Sequence, residues 1–161
     1  MDRFPGKYVG IVVDNDDPSR LSRLRVRVPE VFGTETTGWC TPCSPYAGSG
    51  VGLAAVPPAG SLVYVEWPAG DTSRTPIWSG GLWPGGDGIE DAGPDALVLV
   101  TPGGNRIILR DAQGQEAVEI EAPSGAKLVL DSEGARLEFG SQRVALKRAS
   151  ISLNDGALEV T

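Results

Sequence analysis

The last third of the sequence repeats one short pattern, in which apolar and polar residues alternate and a turn follows. From Leu97 the segments read LVLVT, NRIILRD, EAVEIEA, AKLVLDS, ARLEFGS, RVALKR, SISLN and ALEV. Two residues is the period of a β-strand, so the apolar residues of each segment share one face of their strand. Short strands with an uncovered apolar face must bury that face against something. We expect copies of the same chain to cover it.

Composition narrows the classes of function. The chain has 161 residues, a net charge of −7 and no histidine. No apolar run approaches the roughly 20 residues of a membrane helix. The N-terminal sequence MDRFPGKYVG does not read as a signal peptide, so we expect synthesis in the cytoplasm. The acidic balance disfavours nucleic acid as a partner, because phosphate binding depends on Lys and Arg.

The residues are unevenly distributed, and this predicts two domains. Every aromatic residue except Phe139 lies before position 84. The segment PGGDGIEDAGPDA, residues 84–96, has the Gly, Pro and Asp content of an exposed linker. We therefore place a compact domain at residues 1–83 and the repetitive domain at residues 97–161. Sustained helical periodicity and caps are lacking, so the sequence predicts an all-β protein.

The first domain reads as a series of short strands separated by turns. The segment SRLRVRVP alternates cleanly, and KYVGIVVD, GWCTP, GSLVYVEWP and TPIWSGGLW are also strand-like. Five or six strands in about 80 residues favour a small closed barrel of the OB type, with a sandwich as the alternative. We predict that the barrel core contains Leu24, Val26, Val28, Val63, Val65, Trp67, Ile77 and Trp78.

Two segments of this domain resemble the OB-fold domain of the central spike proteins of contractile injection systems. That family includes phage baseplate spikes, the VgrG proteins of type VI secretion and the spikes of extracellular injection particles. One segment, residues 17–29, has the form Asp-Pro … Arg-x-Arg-Val-x-Val-Pro, and the other, residues 60–80, has the form Gly-x-x-Val-x-Val-Glu … Gly-Asp … Pro-x-Trp-x-Gly. The stretch TPGGNRIILRDAQGQEAVEIEAPSG is similar to the start of the family's spike shaft.

The resemblance implies a homotrimer with three barrels at its base and a shaft that is an intertwined β-helix or β-prism. Three copies could turn their apolar pairs to a common axis and leave their charged residues outside. The predicted core of the shaft consists of Ile107, Leu109, Val118, Ile120, Leu128, Leu130, Leu137, Phe139, Val144, Leu146, Ile151, Leu153, Leu158 and Val160.

Several residues are of types that bind metals or react chemically, but a purely structural role is favoured for each. Cys40 and Cys43 form a Cys-x-x-Cys, but a zinc site needs four ligands, so an incidental pair is favoured over a disulfide or a metal shared between chains. Asp14, Asp16 and Asp17 lack the calcium-loop pattern and read as a solvated turn. We predict no catalytic residue, because the histidine of a nucleophilic triad is missing. We also predict no metal and no cofactor.

The resemblance therefore implies a non-enzymatic spike that docks on a baseplate or tail hub and punctures a target cell envelope. Some spikes of this family end in a His-x-His metal tip, which this chain cannot build because it has no histidine. The resemblance then implies a blunt shaft with a separate PAAR-like tip protein at its C-terminal end, and truncation of the true C-terminus is the alternative to such a tip protein. The alternative is an OB-fold module that binds single-stranded nucleic acid or another ligand and carries an oligomerising β tail. Its stacking surface would come from Trp67, Trp78 and Trp83, and its charge from the row Arg23, Arg25 and Arg27. The favoured roles are core packing or barrel-to-barrel contact for the tryptophans and a solvated or intersubunit face for the arginines.

Overall fold

The computed structural model of the chain describes residues 3–160 and confirms the all-β class. The chain forms two compact units, of which the first ends at Asp87 and the second begins at Gly88. Across the described residues, no helix has the length and apolar character needed to cross a membrane.

The first unit is a closed barrel with one additional hairpin. Its strands are β1 (Tyr8–Asp14), β2 (Leu24–Arg27), β3 (Thr36–Pro42), β4 (Ala47–Gly48), β5 (Val51–Gly52), β6 (Leu62–Glu66) and β7 (Ile77–Leu82). Five of them close the barrel in the order β1-β2-β3-β7-β6. Strands β3 and β7 pair in parallel and the other neighbours in the barrel are antiparallel, which confirms the OB-type barrel. Strands β4 and β5 form a small separate hairpin outside the barrel sheet.

Alternation along the strands builds the barrel core. In β2, Leu24 and Val26 are fully buried while Arg25 and Arg27 are exposed. The barrel also contains a short helix, α1 (Pro29–Phe32), which the sequence analysis did not predict. Four residues are too few to show helical periodicity, and Pro29 suits the first helical position because its φ is already fixed.

The second unit is a single antiparallel sheet in which the strands follow one another in chain order. Its strands are β8 (Ala96–Val100), β9 (Arg106–Arg110), β10 (Ala117–Glu121), β11 (Lys127–Asp131), β12 (Gly134–Phe139), β13 (Gln142–Lys147), β14 (Ile151–Leu153) and β15 (Leu158–Val160). Each repeated segment of the sequence corresponds to one strand. Among the strands described, only β8 and β15 lie at the edges of the sheet.

The turn between β11 and β12 requires a glycine. Gly134 pairs with Asp131 and has a φ of +140°, and a Cβ atom at this position would overlap the carbonyl oxygen of Leu146. Strand β12 can therefore approach β13 closely only because this residue has no side chain.

Candidate functional site

The apolar residues of the eight-stranded sheet lie on one of its faces. The registers align them in two rows that run across the strands. We call Leu97, Leu109, Val118, Leu130, Ala135, Leu146, Ile151 and Val160 the large row. We call Leu99, Ile107, Ile120, Leu128, Leu137, Val144, Leu153 and Leu158 the central row. This surface, with Phe139 beyond the central row on β12, is the apolar face.

The structure places all fourteen residues of the predicted shaft core on the apolar face. The face also includes Leu97 and Leu99 of β8, which the list of predicted core residues omitted. The pair assigned to β12 is offset, because Ala135 occupies the large row and Leu137 the central row, while Phe139 extends past both. Sequence periodicity shows which residues share a face but not how neighbouring strands are aligned, so this offset could not be read from the sequence.

Most of the apolar face is exposed to solvent in the single chain. Phe139 is 58% exposed and Leu137 is 54% exposed. Nine further residues of the face are also exposed: Leu97, Leu99, Ile107, Ile120, Leu130, Leu146, Ile151, Leu158 and Val160. Exposed apolar surface of this extent marks a site of protein association, since isolated apolar residues on a monomer do not form continuous rows.

The opposite face of the sheet is charged, and its own side chains shield the apolar residues on it. Glu119 on β10 accepts a hydrogen bond from Arg110 Nε at 2.7 Å and lies 2.6 Å from Lys127 Nζ on β11. Lys127 and Arg110 together hold the pKa of Glu119 below its usual value. Between such pairs, Ile108 and Val129 are almost completely buried. The apolar stems of long charged side chains can shield such a row, so this face needs no partner.

Further ion pairs extend this charged network to other strands of the sheet. Arg136 lies 2.6 Å from Asp131, and its hydrogen bond lowers the pKa of that carboxyl group. Arg106 on β9 pairs with Asp91. Asp91 belongs to the segment that the sequence indicated as linker, so part of that segment is attached to the sheet.

The predicted barrel residues occupy the interior of the first unit to different degrees. Leu24, Val26, Val28, Val63 and Val65 are fully buried, and Trp67 is 4% exposed. Trp78 is half-buried, packs on this cluster and donates a hydrogen bond from Nε1 to the carbonyl oxygen of Ser22 at 3.0 Å. Ile77 is also half-buried but lies outside the cluster.

The aromatic residues do not form a stacking platform within the barrel. Trp67 is enclosed by Tyr8 and Phe32, with ring centroids at 6.1 and 5.6 Å. Trp83 is 67% exposed in the single chain, so it takes no part in core packing and remains available for the barrel-to-barrel contact that is the other expectation for it. Burial withdraws Trp67 from any ligand, and only Trp83 among the tryptophans named above offers an open ring.

The acidic turn before β2 is more ordered than the sequence indicated. Asp17 is 8% exposed and pairs with Arg23 at 2.6 Å, and it also accepts hydrogen bonds from the backbone N–H groups of Ser19 and Leu21. The hydrogen bond from Arg23 holds the pKa of Asp17 well below its usual range. Asp17 is therefore the organising residue of this turn, not a solvated one. Arg23 also lies over the ring of Trp39, 5.5 Å from its centroid, so it is engaged within the barrel.

The two cysteines are free and lie in different environments. Cys40 is fully buried with its Sγ 3.3 Å from Thr37 Oγ1, and Cys43 is exposed. Burial raises the pKa of the Cys40 thiol to about 11, which makes it a poor nucleophile at neutral pH. In the described part of the chain, no group of three or more His, Cys, Asp or Glu side chains is arranged to hold a metal ion.

Comparison with known families assigns both units. Residues 8–83 match the model of the type VI secretion system/phage-baseplate injector OB domain. Residues 96–159 match the model of the phage baseplate V C-terminal trimerisation domain. These two ranges correspond to the barrel and to the eight-stranded sheet. No curated protein sequence matches the chain significantly.

Proposed function

Because the chain belongs to the family of structural baseplate proteins of phage tails and type VI secretion injectors, we propose that it is the central spike of such a machine. Three copies associate through their apolar faces into a shaft, with three OB barrels at its base. The spike acts mechanically and has no enzymatic role.

The apolar face is the observation that carries the proposal. Burying a large aliphatic side chain contributes roughly 1.5–3 kcal/mol, and about half of that remains available for a residue that is already half covered. Eleven exposed residues per chain can contribute in this way. The charged face has its own ion pairs, so it suits the outside of the trimer.

The strand pairing favours a β-prism over an intertwined β-helix. Every inner strand of the sheet already has two hydrogen-bonded neighbours from its own chain. Association of copies therefore uses side chains of the apolar face, not backbone groups of strand edges. Three such sheets around an axis form the faces of a prism.

The barrels are proposed to dock the trimer on the baseplate or tail hub. The match of the barrel to an injector OB domain supports this role. The hairpin of β4 and β5 adds an exposed apolar surface, since Tyr46 is 62% exposed and Val51 and Leu53 are similarly open. In this arrangement the shaft points away from the hub and punctures the target cell envelope when the machine fires.

We also propose that a small PAAR-like tip protein binds the C-terminal end of the shaft. The outer edge of β15 has no partner strand among the described residues, and Leu158 and Val160 on this strand are exposed. The assembled spike is a component of the virion or of the injection particle.

The alternative of a nucleic-acid-binding OB module has weaker support. Trp67 is buried, and Arg23 is held by Asp17, so two of the residues that would bind a nucleic-acid strand are already engaged. The acidic net charge of −7 acts in the same direction.

Purified particles test the proposed function directly. Quantitative mass spectrometry of tail or injection particles should find this chain in the baseplate fraction at three copies per particle. A chain in which Leu128 and Leu130 are both replaced by Asp should be absent from particles, because it cannot form the shaft. If the unmodified chain were absent from the baseplate fraction, the proposed function would be wrong.

A further inference from the structure

A third row of side chains crosses the apolar face beside the central row. This small row consists of Thr101, Asn105, Ala122, Ala126, Phe139 and Gln142, two residues beyond the central row on β8 to β13. The central row thus lies between the large row and the small row. Five of the six members of the small row are small or polar, and Phe139 is the exception.

The dimensions of the sheet determine how three copies can surround an axis. Along a strand, five residues span about 16 Å, and across the sheet, eight strands span about 34 Å. Because packed sheets lie about 10 Å apart, each sheet must lie about 5 Å from the axis. A triangle with sides of about 16 Å has its sides about 5 Å from its centre, whereas sides of about 34 Å would lie about 10 Å away. Only the short dimension gives a filled core. The strands therefore run around the axis and the stack of strands runs along it.

Three-fold symmetry then brings opposite ends of equivalent strands together. At each corner of the prism, the end of a strand in one copy lies beside the start of the same strand in the next copy. On β10 these two ends are Val118 and Ala122, and on β11 they are Leu130 and Ala126. The large row of one copy consequently faces the small row of its neighbour.

The apolar face has a groove at the position where these neighbours would enter. The groove has a volume of about 360 Å³ and is lined by Ala122, Ala126, Leu128 and Leu137, among others. The groove is deep at this position because β10 and β11 carry alanines in the small row, whereas they carry Val118 and Leu130 in the large row. Large side chains from the next copy would fill this space.

Strand β12 reverses this order. Its start carries Ala135 in the large row and its end carries Phe139 in the small row. The corner at β12 therefore still combines one large and one small side chain, as the other corners do, but in the reverse order. We propose that Phe139 of each copy packs over Ala135 of the next copy and thereby fixes the strand-for-strand register of the trimer. This inference rests on the proposed homotrimer and adds the residues that align it.

A shift of one strand between copies would break this match. Phe139 would then meet Leu130 or Leu146, which leaves no room for its ring. Ala135 would meet Ala126 or Gln142 and leave a void. Overlap and voids in a packed interface are both unfavourable, so the reversed pair discriminates against shifted registers.

Disulfide cross-linking tests the contact. The full chain with Cys43→Ser serves as the background, since Cys40 is buried. Within one chain, positions 135 and 139 are four strand residues, about 13 Å, apart, which is too far for a disulfide. After mild oxidation, the double variant Ala135→Cys/Phe139→Cys should therefore run as a covalent trimer on a non-reducing denaturing gel. The single variants Ala135→Cys and Phe139→Cys should remain monomeric on the same gel.

Two further variants exclude the shifted registers. The pairs Phe139→Cys/Leu130→Cys and Phe139→Cys/Leu146→Cys should not cross-link. Cross-linking of either pair, cross-linking of a single variant, or failure of the 135/139 pair in a chain that is trimeric by light scattering would overturn the inference and leave the trimer intact. A background chain that is monomeric by light scattering would instead overturn the proposed function.

Exchange of the two side chains supplies a second measurement. Ala135→Phe and Phe139→Ala should each lower the melting temperature of the trimer, and the double exchange should recover most of the loss. If the exchange were as destabilised as the two single variants combined, the side chains would not be in contact.

Discussion

Replacing Leu130 by Asp distinguishes the apolar face from the rest of the sheet. Leu130 is 43% exposed in the single chain and lies on the apolar face. Val100 offers a matched control, because it is 40% exposed but lies on the opposite face. Both variants introduce the same carboxylate at a similarly open position, so the single chain should tolerate both.

The trimer should tolerate only one of them. In the proposed prism the three copies of residue 130 lie at one level, so Leu130→Asp places three carboxylates in an apolar interior. Loss of the leucine contacts costs about 1 kcal/mol per chain. Burial of unpaired charges adds several kcal/mol per ion. Summed over three chains, the cost is on the order of 10–15 kcal/mol per trimer, so the dissociation constant should rise by at least about a million-fold.

Light scattering coupled to size-exclusion chromatography measures the outcome. We expect Leu130→Asp to elute as a monomer that retains the circular dichroism of a β-sheet, and Val100→Asp to remain a trimer. A stable Leu130→Asp trimer would refute the inward orientation of the apolar face. Dissociation of both variants to the same extent would show that the two faces do not differ as we argue.

Three further predictions concern the charged face, the barrel and the alternative function. Because Lys127 and Arg110 depress the pKa of Glu119, the stability they give is present above the usual glutamate pKa and is lost as the pH falls below about 4.5. Glu119→Gln should reduce stability at pH 7 by roughly 1–3 kcal/mol and flatten the acid side of the melting-temperature profile, whereas an unchanged profile would exclude Glu119 as a stabilising ion-pair partner. Leu24→Ala should lower the unfolding free energy of the barrel by about 2–5 kcal/mol and leave the molar mass of the trimer unchanged, and loss of the trimer would show that the sheet depends on the barrel core. Titration with a labelled single-stranded oligonucleotide at low salt should give no saturable binding, and tight salt-sensitive binding that Trp83→Ala removes would favour the nucleic-acid alternative.

The strands and their shared face could be predicted from the sequence because both depend on local alternation. The segment KLVLD places Leu128 and Leu130 on one side whatever their neighbours are. The eight repeated segments and the OB-type strands were recovered in this way. The motifs at residues 17–29 and 60–80 indicate the family without reference to tertiary contacts.

Features that depend on contacts between distant positions could not be predicted. Ala135 belongs to the large row only because β11 and β13 align it there, and a lone alanine carries no periodic signal. Asp17 is buried because Arg23 and nearby backbone N–H groups converge on it, although its neighbours in sequence read as a solvated turn. Trp83 is the opposite case, because it is an aromatic residue in strand-like sequence and yet it is exposed in the single chain.

The molar mass of the purified full chain is the most direct test of the central claim that three copies cover each other's apolar faces. One chain has a mass of 16.8 kDa. Light scattering should give three times this value, and the value should persist on dilution because the buried face is large. A mass of one chain, with the apolar face still exposed, would contradict the account.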